Sequence, residues 1–167
     1  VLEPPRNIDR KALADVKVAY DSLSSHFPES LPSLIGGLAD RRYSYYQEVP
    51  SNGAFVCHDV GHACYEIISA HIEVYDLTLL DRTGVPRTVH FLSAMGGVKK
   101  WYDSRKGRDL FDLQLEAIDW ALKQPRDERI ARAEWQNAIA ALQRFRDEFA
   151  KNRKSFDAKH TLWFEGK

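Results

Sequence analysis

Five consecutive residues, His58-Asp59-Val60-Gly61-His62, hold the densest potential chemistry in the chain. On a helix, residues four apart lie one above the other, so this spacing lets two imidazoles offer nitrogens to one divalent ion. Glu66 follows His62 by four and continues the stripe, about 6 Å further along the axis. It is the natural third ligand on an unbroken helix. Glu73 falls on the same face after nearly three turns, but about 16 Å away by helix rise. It joins the set only if the helix breaks between Ile67 and Ile72. Asp59 is a ligand or a partner that orients one, and with Glu66 it is the candidate catalytic carboxylate. His71 lies a quarter-turn off the stripe, while His26 and His90 belong to other segments and would arrive by tertiary packing. The expected ion is zinc or iron. Zinc with an open position suits polarisation or hydrolysis, whereas iron with histidine and carboxylate ligands suits oxygen chemistry.

The bland alternative is a set of core imidazoles hydrogen-bonded to backbone or to nearby acids. Two histidines and an aspartate within five residues of a buried helix need some such partner, because unpaired polar groups inside are costly.

The rest of the chain must position this stretch. At 167 residues it has the length of one ordinary domain, and a single helical metal-binding domain over 1–167 is expected. The 24 Lys plus Arg balance the 24 Asp plus Glu, which excludes an overall field that would recruit nucleic acid or an anionic membrane. No apolar run approaches the roughly 20 residues of a membrane span. A soluble protein follows, cytoplasmic or peripheral at a membrane. Cys57 and Cys64 read as residues of one helix, about 10 Å apart by helix rise, too far for a disulfide. Free thiols in the core fit a reducing compartment.

In order, Ala12, Leu13, Val16, Ala19, Tyr20 and Leu23 predict a first amphipathic helix ending near Ser25 ahead of Pro28. Leu31 to Asp40, with Pro32 and Gly36-Gly37, is at best a short helix. Arg41 to Tyr46 gathers three tyrosines and two arginines, either a rim of the core or an edge of a substrate pocket. Pro50-Ser51-Asn52-Gly53 is a boundary of turn formers, after which the central helix begins. Its apolar residues run all round, so it is buried. Gly84 and Pro86 separate it from a helical pattern over Arg87–Tyr102 that Gly96 and Gly97 weaken. A basic connection over Asp103–Gly107 leads to a helix from Leu110 to Leu122, stopped by Pro125, and a last helix from about Asp127 to Asn152. The tail carries Leu162, Trp163 and Phe164, suited to packing back or to a partner. Strand-like alternation is nearly absent. The expected fold is all-α, an irregular bundle of about five or six helices with a buried central histidine helix.

Three families share parts of this pattern. The HExxH zinc hydrolases resemble it, but expect glutamate where Asp59 stands, and a sheet. The HD phosphohydrolases resemble it in the adjacent His58-Asp59, and imply further roles for His26 and for Asp103 or Asp112. The longest likeness is to the helical coenzyme Q (ubiquinone) biosynthesis family, marked by HDxxH followed at a distance by glutamate. It rests on His58 to His62, Thr83-Gly84-Val85-Pro86, Lys106-Gly107-Arg108-Asp109-Leu110, Ala117-Ile118-Asp119-Trp120, Pro125 and Arg129 to Arg132. The resemblance implies that His58, Asp59 and His62 bind a divalent ion. The family's glutamate would fall at Val74, one past Glu73, which leaves the fourth ligand between Glu73 and Glu66.

These readings define three functions. The first is a metal-dependent enzyme with a HDxxH site, acting on a hydrophobic aromatic or quinone-like small molecule. The resemblance implies work on the aromatic head group in ubiquinone synthesis. The second is an HD-type phosphohydrolase, with Arg41, Arg42, Lys99, Lys100 and Arg105 to neutralise phosphate. The third is a non-catalytic ligand-binding or interaction protein with an aromatic pocket. The sequence leaves the oligomeric state open.

Overall fold

Asp59, not a residue near Gly53, is where the central helix is launched. The computed structural model describes residues 10–48, 56–73, 91–126, 128 and 130–151. Among these residues the protein is helical apart from one two-stranded ribbon. The elements are α1 (Arg10–Ser25), α2 (Leu31–Gly37), β1 (Tyr43–Glu48), β2 (Val56–Asp59), α3 (Val60–Ile72), α4 (Phe91–Ala94), α5 (Val98–Asp103), α6 (Leu110–Leu122) and α7 (Arg132–Lys151). The all-α expectation holds in its main lines, with seven helices among the described residues in place of five or six.

The ribbon corrects the expectation that Phe55 to Val74 is one helix. β1 and β2 pair antiparallel, with Tyr43 opposite Asp59, Gln47 opposite Cys57 and Glu48 opposite Val56, and an irregularity between Tyr43 and Gln47. Tyrosine and valine favour extended backbone, and a short apolar run such as Val56-Cys57 fits a strand as well as a helix. Pro50–Gly53, Thr83–Pro86, His90 and the Leu162-Trp163-Phe164 tail lie outside the described residues.

Contacts divide the chain into two compact units, Val1–Ile68 and Ser69–Lys167, with the boundary inside α3. In the first unit, α1 ends at Ser25 as its periodicity predicts, and Lys11–Asp15 and Lys17–Asp21 pair along its exposed side. Among the described residues of this unit, the buried apolar side chains are Phe27, Leu31 and Leu34 near α2 and Cys64, Ile67 and Ile68 on α3. The Ser30 hydroxyl donates to the Leu23 carbonyl at 2.7 Å, fixing the turn that joins α1 to α2.

In the second unit, α6 begins after Asp109, whose side chain accepts the Asp112 N–H at 2.8 Å as an N-cap. Ile118 and Ala121 of α6 form a buried cluster with Ala138 and Leu142 of α7. The stretch from Arg87 to Tyr102 is not one helix. Gly96 and Gly97 adopt positive φ of 85° and 94°, a region open to glycine at little cost, and this separates α4 from α5. Trp101 and Phe91 are fully buried and meet edge to face at 6.3 Å. Among the described residues, no helix is long and apolar enough to cross a membrane.

Candidate functional site

The first turn of α3 has each of its leading N–H groups satisfied. Val60 donates to the Arg42 carbonyl at 2.9 Å and Gly61 to the Asp40 carbonyl at 2.8 Å. His62 donates to Asp59 Oδ1 at 2.7 Å. Helix starts leave such donors orphaned unless a side chain or loop meets them, and here Asp59 is the N-cap and His62 the third helical residue. The other oxygen of Asp59 accepts from Arg41 Nη1 at 2.9 Å. The Arg41 guanidinium, and then the His62 N–H, hold the Asp59 carboxyl below its ordinary range.

The loop that receives this turn is pinned in the same way. Arg42 grips Asp40 through Nε at 3.0 Å and Nη2 at 2.5 Å, and holds its carboxyl down to about 2. Gly61 packs so closely on that loop that a Cβ there would lie 2.3 Å from the Leu38 carbonyl oxygen. Asp59 and Gly61 are thereby explained by folding. Residues 59–61 form a docking and capping device at the start of α3.

The structure separates the five candidate ligands. His58 lies on β2 and His62 on α3, so the two do not share a helical face, which corrects the geometric premise of the motif. The side chain of His58 is outside the described residues. His62 and Glu66 are brought together, with Nε2 and Oε1 3.4 Å apart and the side chains 36% and 39% exposed. Their i, i+4 spacing on α3 accounts for the contact. α3 runs unbroken to Ile72, and Glu73 is turned to other work. Its buried carboxylate accepts from the Ser69 hydroxyl at 2.9 Å and from the Leu92 N–H at 3.0 Å. His71 is buried, and its carbonyl accepts from Gln114 Nε2 at 2.7 Å.

Residues weighed for phosphate chemistry also have protein partners. His26 Nδ1 lies 2.7 Å from the Ser22 carbonyl at the end of α1. Asp103 pairs with Lys99 at 2.7 Å and Lys106 at 3.1 Å, and Arg105 with Glu116. Cys64 is a buried free thiol, raised above its usual range by that burial. Cys57 lies on β2 and Cys64 on α3, so the two do not share one helix as expected.

No group of three His, Cys, Asp or Glu side chains among the described residues is placed to hold a metal ion. Of the implied ligand set, His62 and Glu66 fit as two adjacent donors. Asp59 fits less well, since both of its oxygens are engaged by the protein. Comparisons with family profiles, with curated proteins and with solved structures gave no significant match.

The capping role of Asp59 had a signal in the sequence: an Asp immediately before the helical run is an N-cap signature. The Arg41–Asp59 pair had none, because it joins residues eighteen apart across the ribbon.

Proposed function

We propose that this chain is a metal-dependent enzyme whose centre is built on His62 and Glu66, with His58 of β2 as the third donor. The observation that carries the reading is the His62–Glu66 pair, two side chains suited to a divalent ion, adjacent at 3.4 Å and open to solvent. A bound zinc or iron would polarise an oxygen of substrate or water there. The chain's own contribution is positional. Asp59 is a positioning residue, fixing the backbone of His62 through its cap, while Arg41 holds Asp59 in place. Glu66 is the carboxylate nearest the imidazole, able to ligate or to take a proton from a group held beside it. The resemblance to the coenzyme Q biosynthesis family supports a hydrophobic aromatic or quinone-like substrate.

The test is titration of the purified chain with Zn(II) or Fe(II) against a competing chelator. One saturable site is expected, lost in His62→Ala and in Glu66→Ala. Binding that neither substitution alters would place the ion elsewhere and overturn the proposal.

A further inference from the structure

In the second unit, α6 carries a face that the buried core does not use. Asp112, Leu115, Glu116, Asp119 and Lys123 recur at three and four along it, so they line one side of the helix. With Met95 and Trp120 they border a cleft of about 350 Å³, within the range of small-molecule sites. Phe91, fully buried, backs the cleft and meets Trp120 edge to face at 5.7 Å, so the indole is held in place. Trp120, Met95 and Leu115 supply a partly exposed apolar lining.

The charges around this lining are unequal in their commitments. Glu116 is gripped by Arg105 and by Arg108, and Asp119 by Arg146 at 2.9 Å. Two of the three lining carboxylates are therefore neutralised by protein, and the third, Asp112, lies eleven residues before Lys123, about 16 Å away by helix rise. Arg108, the other cation of the lining, is taken up by Glu116 and by the Asp112 carbonyl. Lys123, exposed at the end of α6, has no ion-pair partner among the described residues. A lysine at a helix C-terminus has a bland role in meeting the helix dipole. Here it also stands beside an apolar wall with a fixed indole.

We propose that this cleft binds a small aromatic anion, its ring against Trp120 and Met95 and its charge on Lys123. A flat ring gains from an aromatic wall and a carboxylate from a charge-assisted bond to ammonium. The site does not depend on the metal reading, since none of its residues lies on the first unit.

Calorimetric titration with 2-naphthoate and with its neutral counterpart 2-naphthamide tests this. The naphthoate should bind saturably at one site, about tenfold weaker in Lys123→Gln, the effect of losing one charged hydrogen bond. Lys123→Arg should retain most of the affinity. The amide should bind more weakly and equally to wild type and Lys123→Gln. His62→Ala should leave naphthoate binding unchanged, which separates a failure here from a failure at the proposed metal centre. Absence of saturable naphthoate binding, amide binding as tight as the acid, or indifference to Lys123→Gln in a protein with unchanged melting temperature would overturn the proposal.

Discussion

Asp59 Oδ1 accepts the His62 N–H at 2.7 Å, which makes the first residue of the Asp-x-x-His spacing the N-cap of the helix that carries the last. The three-residue interval from Asp59 to His62 is the interval between an N-cap and the third helical residue. Folding and any chemistry at His62 are therefore coupled through one carboxylate.

Asp59→Ala should lose about 1–2 kcal/mol of stability in chemical denaturation, the range for removing a good cap. Asp59→Asn keeps an acceptor for the His62 N–H and should lose less than half as much. The lowered carboxyl of Asp59 adds a pH signature. A folded-state value below the unfolded value of about 3.9 gives stability that is full above it and lost as pH falls through the folded value. The wild type should thus lose more stability than Asp59→Asn on acidification through that window.

Gly61→Ala places a methyl against the Leu38 carbonyl and should cost about 1–3 kcal/mol, because the helix start must back away from its loop. Gly36→Ala is the control. A Cβ there meets nothing within 4 Å, inside α2, so the same substitution should be neutral or stabilising by up to about 1 kcal/mol. Thermal unfolding of the two variants side by side checks the contrast.

Glu73 ties the end of α3 to the first turn of α4 through the Leu92 N–H. Glu73→Ala leaves that buried donor without its acceptor and should cost about 2–3 kcal/mol. Glu73→Gln, which keeps an acceptor oxygen, should recover at least half of the loss. Denaturant midpoints at constant slope measure both.

Glu116 receives two guanidiniums, and although burial pushes its carboxyl up, Arg105 and Arg108 outweigh it and hold it below the usual range. Glu116→Gln leaves Arg105 and Arg108 without their shared counter-charge, so a loss on the order of 1–2 kcal/mol is expected after allowance for solvent screening. The loss should shrink as salt rises. For the wild type, this pair's contribution should be complete above about 4.3, the unfolded value, and fade as pH falls through the lowered folded one.

What was legible in the sequence is what local patterning decides. α6 was readable at both ends because its apolar run opens at Leu110 after a basic connection and Pro125 follows it, and α1 because Pro28 limits it. The ribbon was not, because pairing Tyr43 with Asp59 joins residues sixteen apart, and periodicity carries no trace of it. The same blindness hid the partners of Glu73, since Leu92 is nineteen residues away. Asp59 is the instructive case: its capping signal was local, but the two histidines around it drew the reading toward a ligand. His62 and Glu66 were legible as neighbours because both sit inside α3, where i, i+4 geometry holds.

The central claim is that His62 and Glu66, rather than Asp59 and Glu73, supply metal ligands. Elemental analysis of purified wild type, His62→Ala, Glu66→Ala, Asp59→Asn and Glu73→Gln after equilibration with Zn(II) or Fe(II) tests it most directly. One equivalent of divalent ion in the wild type, kept in Asp59→Asn and Glu73→Gln and lost in the other two, is the predicted result. No bound ion in the wild type, or a loss as complete in Asp59→Asn as in His62→Ala, would contradict it.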